Sequence, residues 1–297
     1  SFSGKTDLAI EQPWWRKVIG FLFGSEDESG GLVRPQGVFV DGRGRIFVAD
    51  PGARGVHIFD HGENEYTFLH SFGRDAFISP IGVAVSDDGT CYVTDSEVPA
   101  VVVFDEDGDF KFVIREGLVR PTGIVLRGGK IFVVDTGNHQ VVVYDLQGNL
   151  LSRIGQRGVG DREFNFPVYL ATSMTVGTQP EAPLFVVDAL NFRVQALGGD
   201  GRFISAFGSQ GNTAGSFASP KGIALDSEGN LYVADGLFDA IQIFNQSGEL
   251  LLVFGNPGTD DGEFSLPTGM YIDREDKIYV VDTLNRRIQV FQYFKRQ

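Results

Sequence analysis

The chain has 297 residues, a formal net charge of −14 at pH 7, 42% hydrophobic residues and one cysteine. The negative charge argues against a nucleic-acid or anionic-membrane partner, which requires a basic face. No apolar run approaches the roughly 18–20 residues of a membrane-spanning helix. The lone Cys91 cannot form an internal disulfide, which fits a reducing cytosol or a thiol-poor bacterial periplasm. We favour the periplasm or cell envelope, with a processed N-terminus.

Two elements are predicted in the N-terminal segment. Residues 1–4 resemble the end of a β-strand, as in Ser205-Ala206-Phe207-Gly208. Residues 13–23 have the apolar spacing of one helix face, with Pro13 suited to the first helical position and Gly24 to the C-terminal cap. We therefore predict a helix of about three turns. It either covers the rim of the domain or, with Trp14, acts as a lid or docking element.

One sequence motif, a predicted hydrophobic strand that ends in aspartate, then occurs six times along the chain. Successive aspartates lie 45, 40, 53, 47 and 47 positions apart. A period in this range indicates one supersecondary unit copied several times. The six residues are Asp50, Asp95, Asp135, Asp188, Asp235 and Asp282.

Each unit reads as four short antiparallel strands, because runs with period two alternate with turns rich in Gly, Asp and Asn. Four-stranded units of this length are propeller blades. We predict an all-β fold, a single six-bladed β-propeller over residues 1–297, with blades that start near 35, 80, 121, 167, 220 and 267. The sixth unit stops after its third strand, near Phe294, so residues 1–4 are expected to supply the missing strand and close the ring.

The motifs resemble the NHL repeat. The sixth unit shows the pattern best: Pro267-Thr268-Gly269, then VVDTLNRRIQVF ending at Phe291, preceded by Gly255, Gly258 and Phe264. The resemblance covers residues 32–294 and implies a stand-alone NHL propeller of a bacterial protein. The loop asparagine of the pattern is kept as Asn138, Asn191 and Asn285, and the arginine only as Arg193 and Arg287.

Candidate catalytic groups are few. NHL-type zinc lyases need several histidines on the axis, but the four histidines here do not come from three blades. Calcium-dependent propeller hydrolases gather carboxylates and amides at the channel mouth. The innermost strands here offer none at equivalent positions: Phe39, Ala84, Val125, Ala171, Ala224 and Tyr271. We expect no catalytic residue, no metal and no cofactor. The six strand-end aspartates are interpreted as acceptors of backbone N–H groups in their own loops.

The two faces of the predicted ring differ in charge. We call the "turn face" the one that bears the turns between strands one and two and between strands three and four of each blade. It is acidic, with Asp87, Asp88 and the run Asp105–Asp109 among others. The opposite "loop face" bears the loops between strands two and three and the connections between blades, and its charges are mixed. An RNA-binding role, known for some NHL propellers, is therefore disfavoured.

The loop face is the predicted binding surface, since variable loops on a rigid scaffold carry function. Units two and five replace the polar loop pattern with apolar groups, and these units lie opposite each other in a six-bladed ring. We predict a non-enzymatic scaffold, a monomer, that binds a protein or peptide. The alternatives are a channel-centred metal-dependent lyase or hydrolase and a small-ligand binder. An insertion at 173–183 is interpreted as a surface loop. The predicted partner-binding residues are Val98, Pro99, Leu237, Phe238, Trp14 and Phe192, with Phe77 and Ile78 as further apolar groups on this face.

Overall fold

The computed structural model describes residues 31–172 and 182–292. The predicted closing strand at 1–4, the predicted helix at 13–23 with Trp14, and residues 173–181 of the insertion lie outside these ranges. In the described part of the chain, the only helical element is one 3₁₀ turn, Ala189–Asn191. No helix within these ranges is long and apolar enough to span a membrane.

The described residues form a six-bladed all-β propeller. Blade 1 contains β1 (Gly37–Val40), β2 (Ile46–Asp50), β3 (Gly55–Asp60) and β4 (Glu65–Leu69). Blade 2 contains β7 (Pro80–Val85), β8 (Cys91–Asp95), β9 (Ala100–Phe104) and β10 (Phe110–Ile114), after the short hairpin β5 (Ser71–Phe72) and β6 (Asp75–Ala76). Blade 3 contains β11 (Pro121–Arg127), β12 (Lys130–Asp135), β13 (Gln140–Asp145) and β14 (Leu150–Ile154).

The second half of the chain repeats the arrangement. Blade 4 follows the short parallel pair β15 (Gln156–Arg157) and β16 (Glu163–Phe164), and contains β17 (Pro167–Thr172), β18 (Leu184–Asp188), β19 (Arg193–Leu197) and β20 (Phe203–Phe207). Blade 5 contains β21 (Pro220–Leu225), β22 (Leu231–Asp235), β23 (Ala240–Phe244) and β24 (Leu250–Phe254). Blade 6 contains β25 (Pro267–Ile272), β26 (Lys277–Asp282) and β27 (Arg287–Gln292).

The hydrophobic core consists of layers between neighbouring blades. In each blade the second and third strands are buried almost throughout, since both faces of the sheet pack against a neighbour, while the fourth strands of blades 1 to 5 are largely exposed. Side chains of blades 6 and 1 share one such layer, which includes Val38, Val48, Val281 and Ile288. The ring is therefore closed between the last blade and the first.

Polar contacts reinforce this closure. The Thr268 and Thr283 hydroxyl groups donate to the Gln36 and Pro35 carbonyl groups across 3.2 and 2.8 Å. The Gly269 N–H donates to the same Gln36 carbonyl. A Cβ on Gly269 would collide with that oxygen, so the glycine of the Pro-x-Gly motif is needed for close approach of the blades.

The sixth blade differs from the others at its outer edge. Blades 1 to 5 have four strands each, whereas blade 6 has three within the described residues. The outer edge of β27 is consequently left without a described partner strand.

Candidate functional site

The six strand-end aspartates hold the loop face together. All six side chains are fully buried. Asp95 shows the common pattern: its carboxylate accepts the N–H groups of Ile78, Ser79, Glu97 and Val98 at 2.8 to 3.1 Å. The bonds from Glu97 and Val98 are those of its own loop, as the sequence predicts. The bonds from Ile78 and Ser79, which the sequence does not predict, join that loop to the connection that enters the blade.

In blades 4 and 6 the Asn, Arg and Gln side chains of the loop pattern complete this network. Asp188 accepts Arg193 Nε at 2.9 Å, Asn191 Nδ2 at 2.8 Å and Gln195 Nε2 at 3.3 Å. Asp282 accepts the equivalent groups of Asn285, Arg287 and Gln289. These buried carboxylates already accept several hydrogen bonds within the protein, so they are not accessible to a ligand as charges or as acceptors.

The predicted partner-binding residues are unequally accessible. Leu237 is 69% exposed, and Pro99 is also exposed. Val98 is half-buried and packs on the core layer between blades 1 and 2. Phe238 is half-buried, and Phe192 is half-buried against the layer between blades 4 and 5.

Phe77, which the sequence analysis predicts to lie on the loop face, is not on the surface. Phe77 is 2% exposed and packs against Phe72 and Phe104. The prediction that it adds to the loop face was wrong, because its ring fills the layer between the first two blades. Ile78, the next residue, is exposed as predicted.

The structure places six exposed aliphatic residues, one in each blade, on the loop face. In blades 4, 5 and 6 the residue lies two positions after the strand-end aspartate. In blades 1, 2 and 3 it lies two positions before the proline that opens the blade. We call this set the "aliphatic ring"; its members are 46% to 69% exposed: Val33, Ile78, Val119, Leu190, Leu237 and Leu284.

Side chains at the two positions, two residues after the strand-end aspartate and two residues before the opening proline, occupy the same site on the surface. Gly52 and Gly137 are the counterparts of the three leucines in blades 1 and 3. Val33 Cγ1 lies 2.8 Å from where a Cβ on Gly52 would be, and Val119 Cγ1 lies 2.8 Å from the corresponding point on Gly137. An aliphatic group from the inter-blade connection thus covers the site that a loop leucine occupies in the second half of the ring.

A cavity of about 1800 Å³ runs along the axis and into the seam between blades 6 and 1. The innermost strands line it, with Phe39, Tyr169 and Tyr271 as its aromatic side chains near the axis. Residues of the turn face, such as Asp41, Asp226 and Asp273, line its mouth. Residues of the loops between strands two and three do not line it, so it opens on the turn face.

Tyr169 closes the opposite end of this channel. It stands where blades 1, 2, 3, 5 and 6 have the glycine of the Pro-x-Gly motif. Its hydroxyl group donates to the Gln36 carbonyl across 2.7 Å. The innermost strands contact one another in the order of blades 1 to 6 and back to 1, so blades 4 and 1 are opposite. The side chain therefore spans the axis, and burial raises the pKa of its hydroxyl group.

The described residues contain no group of three or more His, Cys, Asp or Glu side chains that could hold a metal ion. His57 is buried in β3, where Nδ1 bonds the Tyr66 hydroxyl group at 2.9 Å and Nε2 lies 3.7 Å from Asp50 Oδ2. Burial raises the pKa of the Cys91 thiol to about 12, so this cysteine is a poor nucleophile.

The closed ring of six sheets defines the chain as a six-bladed β-propeller. Residues 118–144 match the family model of the NHL repeat. A stretch of 134 residues is 31% identical to Protein brain tumor from Drosophila melanogaster, covering 42% of this chain and 13% of that protein. A stretch of the same length is 30% identical to the E3 ubiquitin-protein ligase NHLRC1 from Rattus norvegicus, covering 42% of this chain and 33% of that one.

The chain therefore contains a match to the NHL repeat within a six-bladed propeller, and it is similar to these two proteins over part of its length. It aligns with a third or less of the length of these two relatives. Among solved structures, virginiamycin B lyase from Staphylococcus aureus is similar in fold, with a TM-score of 0.64 and 15% identity over 90% of this chain and 88% of that one.

Proposed function

We propose that this propeller is a non-enzymatic interaction module that binds a protein or peptide through its loop face. The observation that carries the proposal is the aliphatic ring. Six exposed aliphatic residues on one face of a rigid scaffold form the kind of apolar surface that marks a protein-binding site. Exposed anchors of this kind typically carry most of the binding free energy of an interface, about 2 kcal/mol or more each.

Pro99, Leu237 and Phe238, from the loops that depart from the repeat pattern, extend this surface. Val98 contributes less to binding than the sequence predicts, since it packs inward. Phe192 supports the loop that carries Leu190 rather than meeting the partner directly.

The charges beside the ring favour an acidic partner. Exposed arginines lie within two residues of three ring members: Arg34 beside Val33, Arg120 beside Val119, and Arg286 near Leu284. The strand-end carboxylates near them are buried, and the exposed carboxylates of this mixed face belong to other segments, such as Glu97 in blade 2 and Asp260 and Asp261 in the connection to blade 6. We therefore expect a partner segment that presents apolar side chains flanked by Asp or Glu, with binding that weakens as salt rises.

The test is affinity capture of the native partner with a double variant, Leu237→Asp and Leu284→Asp. These side chains are 69% and 59% exposed, so the fold should tolerate both changes. Capture should fall at least tenfold, about 1.4 kcal/mol.

The matched control is a second double variant, Leu251→Asp with Ile204→Asp. These residues lie on the outer strands of blades 5 and 4 and are 53% and 48% exposed, so they introduce the same two charges at similar exposure away from the loop face. Equal loss in the control and the loop-face double variant would point to a nonspecific effect of charge. Undiminished capture by the loop-face double variant, with a normal melting temperature, would move the site off the loop face.

A further inference from the structure

The axial cavity is independent of the loop face, and we propose that it is a second binding site, for a small, neutral, planar aromatic molecule that carries hydrogen-bonding groups. It opens on the turn face and is closed by Tyr169, so a ligand enters and leaves on the side opposite the aliphatic ring. Its volume of about 1800 Å³, seam included, exceeds the roughly 300–1,000 Å³ of ordinary ligand pockets.

The planar aromatic character follows from the walls. The rings of Phe39 and Tyr271, from neighbouring blades, have centroids 4.5 Å apart. Both side chains are only partly buried and line the cavity, and Tyr169 forms its closed end. Between these rings the wall is formed by small or aliphatic residues, including Val125, Ala171 and Ala224. Aromatic ligands gain from offset stacking on such rings beyond the area they bury.

The hydrogen-bonding groups of the ligand follow from the topology. Each innermost strand is the first of its sheet and pairs with a neighbour on one side only. On its other edge, the Gln36, Thr122 and Val168 carbonyl groups are already bonded at the loop-face end. The remaining backbone N–H and C=O groups of that edge face the cavity rather than a further strand of the sheet. A purely aliphatic molecule would leave these groups without partners, at a cost in free energy.

The neutrality of the ligand follows from the position and pairing of the charges. The charged side chains that line the cavity all lie at its mouth, in or beside turns of the turn face. The inner carboxylates there already have partners. Asp41 accepts Arg45 Nε at 2.7 Å, Asp226 accepts Asn230 Nδ2 at 2.8 Å, and Asp273 accepts the Tyr279 hydroxyl group at 3.2 Å. The Arg127 guanidinium group at the mouth is also engaged, since it donates to the Ala182 carbonyl group and lies over the Phe132 ring. A charged ligand beside the aromatic walls would therefore have its nearest counterions only at the mouth.

The experiment measures binding of three bicyclic probes by isothermal titration calorimetry. The probes are 2-quinolinone, which is neutral with one N–H donor and one carbonyl acceptor, 2-naphthoate, which is an anion, and N-methylquinolinium, which is a cation. We expect 2-quinolinone to bind with a stoichiometry of one and at least about tenfold more tightly than either ion.

Two variants locate the site. Tyr169→Gly restores the residue that the other blades have, opens the closed end, and should weaken 2-quinolinone binding about tenfold or more. Tyr169→Phe keeps the ring and should bind within about twofold of the wild type. Leu237→Asp, on the loop face, should leave probe binding unchanged, which separates this site from the proposed function.

Circular dichroism verifies that each variant is folded at the temperature of the titration. If the folded wild type binds none of the probes, or prefers an ion, the proposed ligand class is wrong. If folded Tyr169→Gly binds 2-quinolinone as tightly as the wild type, the probe does not occupy the axial cavity and the proposed site is wrong.

Discussion

Arg193 Nε donates to Asp188 Oδ2 across 2.9 Å, and this pair links the third strand of blade 4 to the end of its second strand. The guanidinium group also donates to the Gly160 and Glu163 carbonyl groups in the connection that enters the blade. One arginine thus ties three segments to a single buried carboxylate. Arg287 and Asp282 repeat the arrangement in blade 6 at 2.8 Å.

Replacing Asp188 with alanine should lower the free energy of unfolding by about 3–5 kcal/mol, because it leaves the Arg193 guanidinium and the Asn165 N–H without their buried acceptor. Urea denaturation followed by circular dichroism measures the change. Asp200→Ala, at an exposed turn position, is the control and should change stability by less than about 0.5 kcal/mol. A loss at Asp188 no larger than the control's would contradict the structural role of this aspartate.

The sequence predicts the repeated elements of the blades well, and there is a physical reason for this. The strand-end aspartates and the Pro-x-Gly openings recur at nearly fixed spacing. Each aspartate bonds groups close to its own blade, and the glycines of blades 1, 2, 5 and 6 approach a carbonyl oxygen of the next blade, so the local pattern is sufficient. The aliphatic ring does not appear as a single repeated position. Val33 and Leu284 occupy different sites in the repeat and only their three-dimensional placement makes them equivalent.

The contact between Tyr169 and Gln36 was also beyond sequence reasoning. The two residues are 133 positions apart, and their meeting depends on blades 4 and 1 being opposite. A signal was present, since Tyr169 replaces a glycine that the other five blades keep. Pattern alone could not show whether the larger side chain points into a neighbouring blade or across the axis.

Removing only the Tyr169 hydroxyl group should have a small effect on stability. Tyr169→Phe leaves the Gln36 carbonyl its bonds from Gly269 and Thr268, so we expect a loss of about 1 kcal/mol in the free energy of unfolding. Chemical denaturation measures it. A decrease in the free energy of unfolding above about 3 kcal/mol would show that the hydrogen bond from Tyr169 to Gln36 is essential for closing the ring.

The equivalence of the two aliphatic positions can be tested in blade 1. Gly52→Leu alone should cost about 1–3 kcal/mol of stability, because the new side chain collides with Val33. Adding Val33→Ser gives the combination of Ser265 and Leu284 in blade 6, and it should recover part of this loss. Recovery is incomplete because the Arg34 backbone nitrogen also lies 2.8 Å from the new Cβ. Strictly additive effects in a double-mutant cycle would refute the shared site.

Acid should destabilise the propeller partly through Asp50. Burial alone would raise the pKa of this carboxyl group, but the His57 ring, with Nε2 3.7 Å away, and hydrogen bonds from the Val33, Arg34 and Ala53 N–H groups hold the pKa below its usual 3.8. Because the folded-state pKa is depressed, the stabilisation is present above the unfolded pKa and is lost as pH falls through the folded one. Asp50→Asn should be less stable than the wild type at pH 7 and lose less stability on acidification to about pH 2. Parallel pH profiles of the two proteins would exclude Asp50 as a contributor.

The outer edge of β27 provides the test of ring closure by the N-terminal segment. We propose that residues 1–4 pair with this edge and complete blade 6, as β24 completes blade 5. Deleting them should expose the backbone N–H groups of β27 and lower stability by about 1 kcal/mol for each ladder hydrogen bond lost. Hydrogen–deuterium exchange should then accelerate in residues 287–292, while the equivalent strand β23 keeps its protection. Unchanged exchange in β27 after the deletion would show that residues 1–4 are not the strand that protects this edge.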